Sequence, residues 1–398
     1  MEWKTVEDQY LKDNKFFSQL VGVWPDQERV TKFVIRLVIL IVLIIAVITE
    51  VSRIIVFYSV DVLLDQILYL DIGICSLIKQ CNYILNEKKL KELLNSIVTD
   101  RLMKRPKEEL EIFDMYFKRV TLFSSIYKVG VYSSALMFIS IPAVPPILNI
   151  IAPRNQSRDR EFIHPAYYFV DEQRCYYPIL AHMVSVVLVV SALYIACDIN
   201  LIYVIHHGCA LLIISGYRFK HAMDNVHQCD EKYNNALIHE TYVKVRQSIE
   251  VHKRAVDEHS NKSIVQSVAK RLVYLFQIRY VEKISACHIY YFLIVLGIII
   301  IAFTSTFVRL SETKMGTRFL MLCVITVFQL LHLFFLTIMG QFLVNSNEEI
   351  FQRINESQWY NGPLKVQSLY VLVLRKCLNP PMITGGGLIP LNLDSFVQ

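Results

Sequence analysis

The chain has 398 residues, of which 54% are hydrophobic and 19% charged, with a formal net charge of +6. This apolar content exceeds that of soluble globular domains, and it excludes a disordered chain, which needs low hydrophobicity. With 9 cysteines and 12 glycines over this length, the chain is neither a disulfide scaffold nor a collagen-like repeat. The composition therefore predicts a polytopic membrane protein.

The polar segment 1–32 comes before the first apolar run and lacks the features of a cleavable signal peptide. We therefore expect the first span to act as its own signal anchor. Pro25 ends a short amphipathic pattern within this segment, and the pattern predicts a helix that lies either on the inner membrane surface or on the protein's own cytoplasmic helices. The apolar positions at helical spacing are Phe17, Leu20, Val21 and Trp24.

Six segments are apolar enough to cross a bilayer, whose hydrocarbon core needs about 20 helical residues. They are residues 33–49, 54–77, 120–151, 179–217, 284–308 and 319–344. The fourth is too long for one crossing and contains no turn signal, so we expect one helix that projects out of the bilayer. A seventh candidate, from about residue 371, contains prolines and three consecutive glycines and is a poor span.

Lysine and arginine are distributed unevenly between alternate loops, and cytoplasmic loops are the ones that retain them. Loops 79–119 and 217–283 hold 10 and 12 of these residues, whereas loop 152–178 holds 4. The amino terminus is therefore predicted to be cytoplasmic, opposite to that of a seven-helix G-protein-coupled receptor. The sequon at Asn155 falls in a loop predicted outside the cell, which makes Asn155 a candidate glycosylation site.

Residue types that serve catalysis or metal binding occur without the spacing that such chemistry needs. His206 and His207 are adjacent and point in different directions on a helix, so they do not form a metal-binding pair. The three glycines at 385–387 are not followed by the lysine and hydroxyl residue of a phosphate-binding loop. We therefore expect neither an enzyme nor a bound metal or cofactor.

Acidic residues within the predicted spans are functional candidates by default. Asp61, Asp65 and Asp71 lie in the second span and Asp198 in the fourth. We expect them to face a hydrated cavity or to pair with Lys128 inside the bundle. A proton relay of the kind found in secondary transporters is the alternative, and Asp61, near the outer end of its helix, is also placed to contact a polar ligand.

The carboxy-terminal part of the chain carries a set of characteristic residues, and a Gly-x-Trp-Pro motif occupies residues 22–25 just before the first span. The carboxy-terminal positions are Gly340, Ser346, Trp359, Tyr360, Arg375, Lys376, Pro380 or Pro381, and the run 384–396. This pattern resembles the signature of the insect odorant receptor family, and the resemblance extends over essentially the whole chain.

Together, the spans and the resemblance imply an all-α polytopic membrane helical bundle with a cytoplasmic amino terminus. Residues 33–344 form the six-helix transmembrane bundle, 345–376 form a cytoplasmic anchor segment, and 377–398 begin a seventh helix. In the family this helix continues past the Ser-Phe pair, so we expect it to be incomplete here. The residues that would belong to the subunit anchor are Trp359, Tyr360, Tyr370, Arg375 and Lys376.

The resemblance also implies a function. It implies the ligand-selective subunit of an odorant-gated, non-selective cation channel, assembled as a tetramer with a shared co-receptor in the plasma membrane of olfactory sensory neurons. Its partners would be a small volatile odorant, the co-receptor and membrane lipid, without nucleic acid. A gustatory-type chemoreceptor channel of the same superfamily and, less favoured, a secondary transporter are the alternatives.

The resemblance places the odorant pocket in the outer half of helices two, three, four and six, where a concave and mostly apolar site suits a volatile ligand. The aromatic residues of the second outer loop are expected either to cover this pocket or to form a membrane-interface belt. These loop residues are Tyr167, Tyr168, Phe169, Tyr176 and Tyr177. The candidate ligand contacts are Phe57, Tyr58, Asp61, Tyr132, Met137, Phe138, Met183, Phe319 and Cys323.

Overall fold

The computed structural model describes residues 3–152, 158–222, 243, 279–313, 317–361, 364–378 and 382–397. This part of the chain is a bundle of α-helices with one short β-hairpin, which confirms the all-α fold class. The helices, labelled in chain order over the described residues, are α1 (Trp3–Tyr10), α2 (Lys12–Leu20), α3 (Arg29–Val56), α4 (Val60–Leu85), α5 (Glu87–Leu102), α6 (Lys107–Ser140), α7 (Val144–Ile151), α8 (Tyr176–His221), α9 (Arg279–Glu312), α10 (Thr317–Asn355), α11 (Leu364–Cys377) and α12 (Leu393–Val397). The hairpin pairs β1 (Thr384–Gly385) with β2 (Ile389–Pro390), and one-turn 3-10 helices occupy Ile141–Ala143 and Trp359–Asn361.

Within the described residues, five helical stretches are long and apolar enough to cross a membrane. They are α3, α6 together with α7, α8, α9 and α10. The helix α4, also predicted as a span, carries Asp61, Asp65, Asp71 and Lys79 and is therefore less apolar. It packs between α3 and α9 as part of the same bundle.

The connection between the first two long helices differs from the sequence prediction. Residues 50–53, predicted to form an outer loop, lie inside α3, which continues to Val56. The next helix begins only at Val60, because the side chain of Ser59 accepts a hydrogen bond from the backbone N–H of Val62 and caps its amino end. The prediction therefore placed this boundary several residues too early, and it treated Glu50 as a loop residue.

The long helix α8 is the centre of the bundle. Its 46 residues span roughly 70 Å, more than twice the thickness of a bilayer's hydrocarbon core of about 30 Å. Residues 195–216 are buried on every side, because α6 and α10 pack along it and α2, α3 and α4 cover the remaining face. A helix that is apolar all round is typically buried in this way.

The chain direction defines two ends of the bundle. We call the base half the end that carries α1, α2 and α5, together with the end of α8. We call the loop half the opposite end, where residues 158–175 connect α7 to α8 and where α3, α6 and α9 end.

The amino-terminal helices pack on the base half through polar as well as apolar side chains. The polar side chains of Asn14 and Ser18 face α8 and are buried, whereas Leu20 is exposed and is the last residue of α2. Gly22 then reverses the chain with a positive φ of 69°, a conformation that favours glycine. Its carbonyl oxygen accepts a hydrogen bond of 2.7 Å from Arg36 Nε, which fixes the turn against α3.

Candidate functional site

A small apolar cluster, separate from the main core, occupies the loop half. Ile179 and Met183 are one helical turn apart on α8, so they share a face. Against this face pack Ile163 and Ala166 of the connecting segment and, from α6, Phe138. We call these five residues the loop-half cluster. Such an apolar and aromatic surface has the chemistry of a site for a small hydrophobic ligand.

Polar contacts fasten residues 158–175 over the ends of three helices. The backbone N–H of Tyr167 donates to the carbonyl oxygen of Thr49 at 3.1 Å, and Gln66 Nε2 donates to the carbonyl oxygen of Pro165 at 2.7 Å. Tyr168 adds a contact of 2.8 Å between its hydroxyl oxygen and a ring nitrogen of His182. Burial raises the pKa of Tyr168 to about 12, so this hydroxyl stays protonated and able to donate.

Beneath this segment lies a group of buried polar side chains that the sequence reading missed. His164 Nε2 is 3.3 Å from a carboxylate oxygen of Glu50, and the ring of Tyr69 stacks on the imidazole. Among the described residues, no hydrogen bond reaches Glu50 Oε2, Gln66 Oε1 or His182 Nε2, although all three atoms are buried. Buried polar atoms without partners commonly contact water or a ligand, so these three are candidate contacts for a polar group.

An ion-pair cluster forms the rim of the loop half. Arg309 of α9 donates to Asp65 at 2.9 Å and to Asp61 at 2.6 Å, and it also pairs with Glu312 at 3.2 Å. The sequence predicted Arg309 to lie in a loop, because the fifth predicted span ends one residue earlier. Asp61 thus has a protein partner, while its side chain remains 73% exposed.

The candidate ligand residues occupy different positions in the loop half. Phe138 and Met183 come together in the loop-half cluster, and the ring of Phe57 lies 5.7 Å from that of Tyr167 in the connecting segment. Tyr58 and Tyr132 are 78% and 51% exposed and present their rings at the surface of the chain. The half-buried candidates are Met137, Phe319 and Cys323. Their roles in binding stay predictions.

The prediction that Lys128 pairs with the acidic residues of the spans was wrong. Lys128 pairs instead with Asp13 of α2 at 2.9 Å. The counter-ion of Asp198 is Lys79, at 2.5 Å, which the sequence reading had placed in a loop because it ended the second span at residue 77. The second predicted span ended two residues too early, so Lys79 was not recognised as the partner of Asp198.

Charged side chains form a continuous network in the base half. Glu109 of α6 accepts bonds of 2.5 and 2.7 Å from Arg218 of α8, and Arg105 connects it to Asp100 of α5. Burial alone would raise the pKa of Asp100, but the contact with His207 and the charge of Arg105 outweigh it, so the pKa lies below its ordinary value. Asp100 is therefore ionised at neutral pH and holds α5 against α8.

The predicted anchor residues lie beside this network. Tyr370 of α11 is fully buried, and its hydroxyl donates to the carbonyl oxygen of Phe219 at 2.6 Å. The ring of Trp359 stacks on Tyr370, with centroids 6.1 Å apart. Tyr360 and Arg375 are exposed and Lys376 is half-buried. The aromatic pair thus fixes α11 to the end of α8, while the remaining anchor candidates stay near the surface.

A polar cleft of about 550 Å³ opens at the base between α8 and α10. Two ion pairs line it, Lys220 with Glu356 at 2.7 Å and Arg353 with Glu349 at 2.6 Å. Charges of both signs at such a surface suit contact with water or another protein chain better than contact with an apolar volatile molecule.

The carboxy-terminal signature has a steric explanation at Gly340 of α10. A Cβ atom at this position would lie 1.7 Å from the carbonyl oxygen of Leu391, so the backbone of the carboxy-terminal segment passes directly over the glycine. Beyond this crossing, the ring of Phe396 in α12 packs 5.5 Å from that of Phe334. Asn155, Pro380 and Pro381 lie outside the described residues.

Comparison with known proteins identifies a sequence family and a similar fold. A family model described as 7tm Odorant receptor matches residues 59–398. The insect olfactory receptor OR5 from Machilis hrabei, solved in complex with eugenol, has the same fold, with a TM-score of 0.75 and 12% sequence identity over 100% of this chain and 96% of that chain. A second structure of that receptor gives a TM-score of 0.70 at the same identity and coverage. No curated protein sequence matches the chain.

Proposed function

Because this chain belongs to the insect odorant receptor family, and is therefore a multi-pass membrane receptor, we propose that it is the ligand-selective subunit of an odorant-gated cation channel. The channel is non-selective among cations, and the chain works in it with a shared co-receptor as a hetero-oligomer, most simply a tetramer. The observation that carries the proposal is the family match over residues 59–398, joined to a fold that puts a separate apolar cluster at one end of the bundle.

The ligand is a small volatile molecule that binds in the loop half. Support comes from the apolar surface around Met183 and Phe138, and from the buried polar atoms of Glu50, Gln66 and His182 nearby, which provide a few hydrogen-bonding positions. The similar receptor from Machilis hrabei was solved with eugenol, which has this character. The remaining contacts proposed for the odorant are Phe57, Tyr58, Asp61, Tyr132, Met137, Phe319 and Cys323.

The base half faces the cytosol and the loop half faces the outside of the cell. Support comes from the abundance of lysine and arginine in segments 1–32 and 79–119, compared with segment 152–178. The protein acts in the plasma membrane of olfactory sensory neurons, and residues 158–175 cover the ligand site from outside. Asn155, in the same outer connection, is the proposed glycosylation site.

The co-receptor binds at the base. Trp359 and Tyr370 hold α11 on α8, and the exposed Tyr360 and Arg375 together with Lys376 extend this surface toward a neighbouring subunit. Odorant binding opens the channel if the odorant binds more tightly to the open arrangement of the helices than to the closed one, since a ligand shifts an equilibrium only by its differential affinity.

The test is expression of the chain in oocytes with the co-receptor, without it, and of the co-receptor alone. A panel of volatile alcohols, esters, aldehydes and phenols, including eugenol, is applied under voltage clamp. We expect an odour-evoked cation current only when both subunits are present. A response from the chain alone would contradict the subunit proposal, and substrate uptake without any current would favour a transporter.

A further inference from the structure

A turn of α8 near the middle of the bundle carries the most completely buried ion pair among the described residues. Lys79 of α4 is 0% exposed and Asp198 of α8 is 2% exposed, and the ammonium lies 2.5 and 2.6 Å from the two carboxylate oxygens. The hydroxyl of Tyr127, on α6, donates to the same carboxylate. Three helices therefore meet at one carboxylate.

Aromatic rings enclose the ammonium group. Lys79 Nζ lies 4.0 Å from the ring centre of Tyr194 and 5.7 Å from that of Tyr291 on α9, distances at which a cation is attracted to the face of a ring. Tyr194 in turn lies 5.3 Å from His332 of α10. The surroundings of the pair thus include side chains from every long helix except α3.

Neighbouring residues of α8 extend the same polar layer. Tyr83 of α4 donates to the carbonyl oxygen of Cys197 at 2.5 Å. Asn200 accepts a bond of 2.9 Å from Asn14 and donates one of 2.8 Å to Ser18, both on α2. We call residues 194–200 of α8 the polar hub.

The polar hub lies between the two regions to which a function is proposed above. At about 1.5 Å per residue, Asp198 is roughly 33 Å from the first residue of α8, whereas Met183 is roughly 10 Å and Phe219 roughly 65 Å from it. Any displacement of α8 that starts at the loop-half cluster must therefore pass the hub before it reaches the contact between Phe219 and Tyr370 at the base.

Stability alone does not explain the pair. Desolvation of two charges offsets most of their attraction, so replacement of a buried ion pair by well-packed neutral groups is often neutral for stability. The pair instead favours one relative position of α4 and α8. A small movement of α8 past α4 would separate the two charges in a place where water does not replace their contact. A helix interface of this kind favours discrete arrangements over continuous sliding.

We infer that the Lys79–Asp198 pair is a gating latch, which sets the equilibrium between the helix arrangement described above and a second one in which α4 and α8 have moved past each other. This inference rests on the proposed channel function. Lys79 and Asp198 are positioning residues: they set the relative position of α4 and α8. Neither residue contacts the odorant.

The experiment compares two double variants of the chain, each expressed with the co-receptor. K79M/D198N removes both charges of the latch at nearly constant shape, so it leaves no unpaired buried charge. K128M/D13N makes the same change at the pair of 2.9 Å between α6 and α2, whose Asp13 is 55% exposed. The readout is the standing cation current before any odorant, divided by the surface amount of the chain, with the co-receptor alone subtracted.

We expect K79M/D198N to change this standing current per receptor by about fivefold or more, the lower end of ordinary coupling between two sites. K128M/D13N should leave it within about twofold, because a pair with one exposed partner contributes little. K79R keeps the positive charge but changes the shape of the side chain, and it should shift the current in the same direction. This variant tests the latch if the double variant does not reach the surface.

An unchanged standing current in K79M/D198N, or in K79R if only that variant reaches the surface, overturns the latch and leaves the channel proposal intact. A wild-type chain that adds no current to that of the co-receptor, either standing or evoked by the odorant panel, overturns the channel proposal and the latch with it. The two failures are thus distinguishable.

Discussion

The two halves of the bundle are held together by different kinds of contact. In the base half, Glu109, Arg105 and Arg218 form buried ion pairs with geometry that leaves little freedom. In the loop half, residues 158–175 are attached by hydrogen bonds, by the contact of His164 with Glu50 and by the small cluster around Met183. The ion-pair cluster of this half lies at its rim, where one of the carboxylates is exposed. The difference indicates that the base is built to keep one geometry and the loop half to admit rearrangement.

This division matches the proposed roles. A subunit interface needs surfaces that stay in place, and buried charge pairs resist displacement because a separated charge has no water to solvate it. A ligand site that rearranges needs contacts that cost little to exchange, and neutral hydrogen bonds contribute only about 0.5–1.5 kcal/mol each. Substitutions in each half test this contrast.

Glu109→Gln should be the most damaging change in the base half. It leaves Arg218 and Arg105 without their shared carboxylate, and removal of one partner of a buried pair costs about 3–5 kcal/mol. We expect a large fall in the thermal unfolding temperature of the detergent-solubilised chain and in its surface amount. Glu111→Gln is the matched control, because Glu111 is exposed and forms a long ion pair, 3.9 Å, with the exposed Lys107. Equal effects of the two variants would contradict the importance of the network.

Gly340→Ala should displace the carboxy-terminal segment. The added methyl group overlaps the carbonyl oxygen of Leu391, and overpacking of this kind costs about 1–3 kcal/mol or more. Hydrogen exchange of residues 384–397 should become faster in the variant. Gly297→Ala on α9 serves as the control, since the added methyl group has no atom within 4 Å apart from its chain neighbours and the nearby backbone of its own helix. Unchanged exchange in Gly340→Ala would show that the crossing is looser than described.

Met183→Ala should separate binding from stability in the loop half. The side chain is buried, so its truncation costs about 2 kcal/mol, the lower end for such changes, because the cluster is small and can contract. We expect surface delivery to persist while the odorant concentration for half-maximal current changes. Leu188→Ala, at an exposed position of the same helix, should change neither quantity. A normal dose–response curve for Met183→Ala would remove this cluster from the ligand site.

The two rim carboxylates should differ by a small amount. Asp65→Asn is expected to destabilise the chain more than Asp61→Asn, because the Asp65 side chain is 21% exposed and that of Asp61 73%. Exposed ion pairs contribute about 0–1 kcal/mol, so the Asp61 variant should unfold at nearly the wild-type temperature. A shift in odorant sensitivity in Asp61→Asn without a change in unfolding would indicate direct ligand contact at Asp61.

The sequence predicted those features that depend on local pattern. The continuous apolar run of α8 predicted one long helix, and the carboxy-terminal motif led to the family before any fold was known. Contacts between segments that are far apart in the sequence were harder to predict. Lys79 and Arg309 lie only one or two residues beyond predicted span boundaries, so two counter-ions were assigned to loops.

Other features of the site required the fold itself. Glu50 and His164 are far apart in the chain and each looked like a loop residue, so no local pattern joined them. The helix α2 also buries Asn14 and Ser18 against Asn200, which its apolar spacing did not predict, because the surface of α8 at that point is polar.

Ligand access and subunit assembly both require the loop half to lie outside the cell and the base half inside. The most direct measurement places one epitope tag at Met1 and, in a second version, between the exposed Asp159 and Arg160, and stains cells before permeabilisation. We predict a signal from the tag after Asp159 and none from the tag at Met1. Surface staining of the Met1 tag would contradict the account.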